Sequence, residues 1–287
     1  MKPKNTVLNR NFSINAGGKL LSFSKPLIMG VLNLTSDSFY SGSRVPGEKD
    51  YMAKAEQMLS EGAAILDVGG QSTRPKAIRL TAEEEQNRVL PAIDAILKRF
   101  PEAVISIDTF YAEVARASIN HGASIVNDIS AGEMDKNMIP TVASMKVPYI
   151  VMHMQGTPAN MQENPHYDNI VREILDFFIK KTSACRQAGI LDIIIDPGFG
   201  FGKSLSHNYT LLKHLHVFDV LGVPLMAGVS RKSMIGRLLN ITPEKALNAT
   251  TVLHTLALQQ GANILRVHDV RPAMEAVQIW EYYQQQD

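Results

Sequence analysis

Eight short apolar runs in this chain lead into residues that can bind or react. The runs are 27–32, 64–68, 103–107, 123–126, 148–152, 191–195, 223–227 and 263–267. At or just past their C-terminal ends stand Asn33, Asp67, Asp108, Asn127, His153, Asp196, Ser230-Arg231-Lys232 and Arg266-x-His268. An Asp or Asn after a strand often caps the next helix. Capping does not explain the whole set, because His, Lys and Arg are poor N-caps. Carboxylates accept hydrogen bonds while Lys and Arg only donate them. The set therefore reads as the lining of one polar pocket that carries both signs of charge.

A second stretch invites a phosphate-loop reading: Gly198-Phe199-Gly200-Phe201-Gly202-Lys203-Ser204. Its spacing fails the P-loop pattern, since the position five before Gly202 is Pro197, and it fails the dinucleotide fingerprint too. Two phenylalanines are odd in an exposed loop and suggest an apolar wall over a ligand. His121, His214 and His254 fall in helical stretches and read as surface or packing residues. Cys185 sits in a long helical stretch over 166–188 and reads as an inert packing thiol. The 13 methionines are scattered, as core filling would have them.

These residues need a scaffold. Residues 12–24 read as a hairpin turning at Ala16-Gly17-Gly18-Lys19. The eight apolar runs that follow are short and nearly continuous, as parallel strands covered on both faces require. Helical periodicity lies between them: Val89, Ile93, Ile96 and Leu97 share one face, as do Ile170, Ile174 and Phe177. Thr81 and Glu84 form a capping box, and Thr242-Pro243-Glu244 offers an N-cap with proline at N1. Strand and helix alternate eight times. A (β/α)8 barrel is the simplest closure, with catalytic groups at the C-terminal strand ends. A doubly wound open sheet fits the same periodicity.

Composition narrows the function. The 287 residues are 45% hydrophobic and 20% charged, and the net charge is +1, so a bulk nucleic-acid or membrane-surface role is not expected. A local basic pocket for a small anion stays open. A single cysteine excludes an intramolecular disulfide and a multi-thiolate zinc site. No apolar run approaches the roughly 20 residues of a spanning helix. No apolar segment follows Lys2, Lys4 and Arg10, so no signal peptide is expected and a soluble, cytoplasmic protein is.

Several segments together resemble one family. They are Asn33-Leu34-Thr35-Ser36-Asp37-Ser38-Phe39, Asp67-Val68-Gly69-Gly70-Gln71-Ser72-Thr73-Arg74-Pro75, Ile107-Asp108-Thr109, Asn127-Asp128-Ile129 and Met152-His153-Met154-Gln155-Gly156. Asp196-Pro197-Gly198-Phe199-Gly200-Phe201-Gly202-Lys203, Ser230-Arg231-Lys232-Ser233 and Arg266-Val267-His268-Asp269-Val270 complete the series. In this order, from about 26 to 272, the chain resembles dihydropteroate synthases. It departs from them at Ser36, where proline is usual, at Gln71, where an acid is usual, and at Ser41-Gly42-Ser43 in place of aspartate-glycine-glycine.

The resemblance implies a TIM barrel, here a single domain over 1–287 with the hairpin in 1–25 and the barrel in 26–287. It implies a transferase of folate biosynthesis that joins 6-hydroxymethyl-7,8-dihydropterin diphosphate to p-aminobenzoate and releases pyrophosphate. The family mechanism is dissociative: pyrophosphate leaves first and the weakly basic aniline attacks the pterin-methyl cation. Asp108, Asn127, Met152, Asp196, Lys232 and Arg266 are the matching pterin positions. Asn33, Thr73, Arg74, Arg266 and His268 match the diphosphate site, and Asn33 is the expected Mg2+ ligand. Thr73, Arg74, Pro75, Phe201, Ser230 and Lys232 match the p-aminobenzoate slot, the expected target of sulfonamides. Lys232, Asp108, Arg266 and His268 are the expected catalytic set. The 33–48 and 70–80 segments are expected to be loops that order over bound ligand.

A homodimer through the outer helices is expected from the family as well, with no fused folate-pathway domain. Two rivals remain: a methyltetrahydrofolate-dependent methyltransferase domain and a non-catalytic pterin-binding protein. The first acts with a corrinoid partner, and no cobalamin-binding domain is expected here; the Ser230-Arg231-Lys232 and Thr73-Arg74-Pro75 segments also favour the synthase. The second would be favoured by loss of Lys232, Arg266 or Asn33, all of which are present.

Overall fold

The structure, a computed structural model, describes residues 12–34, 47–71, 79–158 and 160–286. Ser13–Ala16 (β1) and Lys19–Ser22 (β2) pair antiparallel as the expected hairpin. Gly17 and Gly18 have φ of 61° and 89°, the left-handed geometry that a two-residue hairpin turn needs.

The apolar runs become eight parallel strands: Leu27–Asn33 (β3), Ile65–Gly69 (β4), Ile105–Asp108 (β5), Ile125–Asp128 (β6), Tyr149–Met152 (β7), Ile193–Asp196 (β8), Met226–Ala227 (β9) and Ile264–Val267 (β10). Their order is β8-β7-β6-β5-β4-β3-β10-β9, and a parallel bridge from Ile195 to Leu225 joins the two ends. The sheet is thus a barrel, and the open doubly wound alternative is excluded. Around it lie Glu48–Ser60 (α1), Ala82–Arg99 (α2), Ala112–Asn120 (α3), Met138–Met145 (α4), Ile170–Gln187 (α5), Leu205–Lys213 (α6), Ser233–Leu239 (α7), Leu247–Gln259 (α8) and Val270–Gln284 (α9). One helix follows each barrel strand except β9, which is followed by α7 and α8.

Successive strand side chains point to opposite faces, and that alternation sorts the sequence into layers. Leu66, Val68, Ile105, Ile107, Val126, Val151, Ile193, Ile195, Leu265 and Val267 share the main core with helix residues such as Val89, Ile93, Ile96, Ile170, Ile174 and Phe178. Ile65, Ile125, Ile150, Ile194, Met226 and Ile264 form a separate cluster with Ile14, Ala16 and Phe23 of the hairpin. The hairpin therefore plugs the N-terminal end of the barrel. Two residues further along each strand the inward position is Asp67, Asn127, Met152, Asp196, Gly228 and Arg266. An apolar floor thus carries a polar layer directly above it.

The helix readings hold with two adjustments. Thr81 and Glu84 make both bonds of the capping box on α2. Thr242 instead opens a 3-10 turn at Pro243–Lys245 without a side-chain bond, and α8 starts only at Leu247. On α5 it is Phe178, at i+8 from Ile170, that is fully buried; Phe177 sits half-buried with its ring edge-on to His153. Cys185 is a free buried thiol, and burial pushes it up to about 11, so it is inert as expected. His254 is buried and neutral, its pKa lowered by burial to about 4, while His121 is exposed beside Asp94.

Candidate active site

Arg266 organises the mouth of the barrel. Its Nε donates to Asp67 Oδ2 at 2.7 Å, and one terminal nitrogen lies 2.6 Å from both Asp67 Oδ2 and Asp108 Oδ2. Asn127 Nδ2 donates to the same Asp67 oxygen at 3.0 Å. Asp67 is wholly buried and its Oδ1 has no partner. One carboxylate therefore fixes two expected pterin residues on strands β6 and β10. Burial raises the Asp108 carboxyl, and Arg266 offsets that rise only in part because Asp67 and Asp128 add negative charge nearby. Asp67 itself was visible as a polar strand end, but nothing in the sequence marked it as the holder of the arginine.

Asp196 lies across the mouth. Its Oδ1 accepts the Gly198 backbone N–H at 2.8 Å, which closes a turn directly after β8. Its Oδ2 faces Gly228, where a Cβ would sit 3.6 Å away, so the lack of a side chain there leaves room beside the carboxylate. Burial raises the Asp196 carboxyl, opposed by the Gly198 bond and by the Lys232, Arg266 and Lys203 charges. Lys232 Nζ stands 4.3 Å from the centre of the Phe201 ring, a cation–π contact. Burial, then the Arg266 charge, lowers Lys232 to about 8. Phe201 packs with Phe110, Ile129, Met152 and Met161 as a small apolar wall. Phe199 does not join it: that ring lies in the main core, so only one of the two phenylalanines lines the mouth.

The glycines between them serve backbone packing. At Gly198 (φ 71°) a Cβ would come within 2.0 Å of the His153 carbonyl oxygen, and at Gly202 (φ 62°) within 2.4 Å of the Gln155 carbonyl oxygen. The loop thus lies directly on the segment after β7, and the rejection of a phosphate loop stands. Lys203, at the end of this loop, is 1% exposed and donates to Phe201 O at 2.9 Å, His153 O at 3.3 Å and His153 Nδ1 at 3.1 Å.

Ser230 and His268 meet at the neighbouring exits of β9 and β10. Ser230 Oγ accepts the His268 backbone N–H at 3.2 Å and lies 3.0 Å from Nδ1 of the same ring. With the hydroxyl proton donated to Nδ1, Nε2–H is the outward donor. Crowding by protein, then the Arg266, Lys232 and Lys54 charges, lowers His268 to about 4, so the ring is neutral at pH 7. Arg231 is not part of the mouth. Its φ is 53°, and its guanidinium is bidentate on Asp269 at 2.7 and 2.9 Å, tying the β9 and β10 exits together. Asp128 points outward and is satisfied by Ser130, Gly132 and the Tyr149 hydroxyl.

Asn33 ends β3 beside Gly69, and its Oδ1 and Asp108 Oδ2 lie 3.6 and 3.7 Å from where a Cβ on Gly69 would be. Among the described residues no group of three or more His, Cys, Asp or Glu is arranged to hold a metal. Thr73, Arg74 and Pro75, with most of the 33–48 and 70–80 segments, lie outside the described residues. Gln71 and Leu80 flank the second of these: Gln71 Oε1 accepts the Leu80 N–H at 3.0 Å, and the Tyr111 hydroxyl donates to Leu80 O at 2.8 Å.

A family model described as pterin binding enzyme matches residues 29–268. A curated dihydropteroate synthase of Escherichia coli K12 is 45% identical over 268 residues, covering 93% of this chain and 94% of its own. The chain belongs to the dihydropteroate synthase family. The crystal structure of the Yersinia pestis dihydropteroate synthase with a sulfonamide drug complex superposes with a TM-score of 0.91 at 40% identity, covering 96% of this chain and all of that one. The Xanthomonas albilineans dihydropteroate synthase with 4-aminobenzoic acid gives 0.90 at 38% identity, covering 97% and 100%.

Proposed function

We propose that the chain catalyses the dihydropteroate synthase reaction at this mouth. It joins 6-hydroxymethyl-7,8-dihydropterin diphosphate to p-aminobenzoate, giving 7,8-dihydropteroate and pyrophosphate. The observation that carries the residue assignment is the Asp196 carboxylate. One of its oxygens is anchored by Gly198 and the other faces open space over Gly228, with Lys232 and Arg266 nearby. That is an acceptor set for the adjacent N–H donors of a pterin edge. Asn127 and Asp108 extend the set, Met152 supplies an apolar wall, and Lys232 donates to the ring carbonyl and ring nitrogen. Arg266, clamped by two carboxylates, lies against the ring face and reaches the diphosphate with His268 Nε2–H.

The residues suit a dissociative course. Asp67, Asp108 and Asp196 put carboxylates around the ring, a fixed field that favours positive charge developing there as the carbon–oxygen bond to pyrophosphate breaks. No strong base faces the aniline slot, and a dissociative attack needs none. Phe201 and Lys232 wall that slot, with Ser230 behind them holding His268, and Thr73, Arg74 and Pro75 complete the assignment. Asn33 is the described residue that would hold Mg2+, which supplies charge neutralisation for the diphosphate. A single protein oxygen fits an ion that keeps waters and binds chiefly through substrate phosphates.

Sulfonamides should compete for the aniline slot, as the Yersinia complex leads one to expect. Exposed Leu238, Leu239, Val252, Leu256, Ile279, Tyr282 and Tyr283 on α7, α8 and α9 support a homodimer through those outer helices. No described helix is long and apolar enough to cross a membrane, and cytoplasmic residence goes with the reading. The test is turnover: both substrates with Mg2+ should yield dihydropteroate and pyrophosphate in equal amounts. Pterin binding without pyrophosphate release would leave only the binding-protein rival.

A further inference from the structure

Lys203 is the described lysine buried most deeply, and its position is not at the substrate surface. Its side chain runs beneath the glycine-rich loop, and its three N–H bonds have three protein acceptors: the Phe201 carbonyl, the His153 carbonyl and His153 Nδ1. The His153 ring is held in turn by aromatic neighbours, edge-on to Phe177 and tilted against Tyr167. His153 N–H also donates to the Asp196 carbonyl at 3.0 Å, so this residue is fixed to β8 from its own backbone. Lys203 thus ties Phe201 to the first residue after β7, which is itself bonded to β8.

Phe201 has little else to fix its carbonyl side. The other loop carbonyls are held separately, Gly200 O by Gln162 at 2.6 Å and Gly202 O by the Tyr167 hydroxyl at 2.8 Å. Each of these carbonyls therefore has one tether, and Lys203 is the one at Phe201. The Phe201 ring, in contact with Lys232, forms the wall of the mouth. We propose that Lys203 is a positioning residue for the aniline slot, acting through the Phe201 backbone and so through the placement of its ring.

A cation is expensive to bury, and a methionine of similar length would be cheaper in that respect. Burial, with the Lys232 charge nearby, already lowers Lys203 to about 7, against the pull of Asp196. The placement of Phe201 is what the lysine offers in return. The proposal rests on the assignment of Phe201 to the p-aminobenzoate slot.

The experiment is a double-mutant cycle in the full-length enzyme, with Lys203→Met, Phe201→Leu and both together. KM for p-aminobenzoate, kcat and the affinity for pterin diphosphate are read for each, with melting temperature as the check on folding. Loss of this tether should raise the p-aminobenzoate KM of K203M about fivefold or more. Pterin-diphosphate affinity should stay within about twofold. In the F201L background, K203M should add no further rise. An unchanged KM in folded K203M, an equal loss of pterin affinity, or a full additional rise on top of F201L would each overturn the proposal. F201L with no effect on that KM would instead remove the slot assignment itself. If K203M does not fold, Lys203→Gln, a shorter side chain without the ammonium donors, is read through the same cycle; failure of both to fold would make Lys203 a residue of the fold alone and overturn the proposal.

Discussion

Replacing Asp196 by asparagine tests the pterin assignment at a single atom. The two carboxylate oxygens have different surroundings, which decides how the amide must sit. Oδ1 accepts the Gly198 N–H, so the asparagine carbonyl oxygen stays there; an NH2 in that place would face a donor. The amide nitrogen is then forced into the Oδ2 position, over Gly228 and toward the ligand. A pterin N–H that met an acceptor would now meet a donor. The lost bond is charge-assisted and worth roughly 1.5–3 kcal/mol, which is about one to two decades in affinity.

The ligand-free fold should not suffer. The carboxyl is raised by burial, so its ionisation above the unfolded value costs the folded state stability, and a neutral isostere removes that cost. Melting temperature at neutral pH should hold or rise, while calorimetric pterin-diphosphate affinity falls at least about tenfold. Undiminished affinity would show that Asp196 does not hold the pterin. A collapse in melting temperature would show that the Gly198 turn needs the charge.

The fold was legible because strands in a barrel are covered on both faces. Each apolar run showed as a nearly continuous patch, and a polar residue at or near its end showed as a break. The period-two rule also explains what was missed. Ile65 faces the floor, so Asp67 must face the same interior one step higher, which the sequence already implied. What it could not imply was the partner, since Arg266 arrives from a strand 199 positions away. The 223–227 run yields only a two-residue strand because Leu225 bonds across to β8 and the β10 side through single contacts.

Side chains that work from behind the mouth were the least legible. Lys203 looked like the end of a glycine-rich loop, and burial in three dimensions alone reveals its three acceptors. Phe199 and Phe201 are two positions apart, yet positive φ at Gly198, Gly200 and Gly202 turns them into different cores. Glu85 belongs to an acidic first turn that reads as a solvated helix start favoured by the dipole. It is fully buried instead, behind Gly70 and beside Thr109.

Further outcomes follow from the same geometry. Asp67→Asn should loosen Arg266 and Asn127 together, lowering kcat/KM by about one decade or more, with a stability loss of roughly 1–3 kcal/mol; full activity would show that Arg266 needs only Asp108. Because Lys232 titrates near 8, pterin-diphosphate affinity should fall as pH rises past that value, and Lys232→Arg should move the fall to higher pH; coincident profiles would detach the alkaline limb from Lys232. Ile279→Asp, at an exposed site on α9, should shift sedimentation from dimer toward monomer if the outer helices are the interface, and an unaltered dimer would place the interface elsewhere. The last concerns Glu85, which burial pushes up to about 8 despite a bond from Thr109 and the Arg79 and Arg88 charges. Its pKa is raised in the folded state, so its contribution is fully present below the unfolded value near 4.5 and is lost as pH rises through about 8. At pH 7 the folded chain must hold a proton that the unfolded chain has released, a cost of roughly 3 kcal/mol at 1.36 kcal/mol per pH unit. Glu85→Gln keeps the shape and removes the titration. Denaturant unfolding should therefore show the variant more stable than the parent at pH 7 and nearly equal to it at pH 4. A gap that does not narrow on acidification would mean that Glu85 is ionised in the fold, with a counter-charge holding it there.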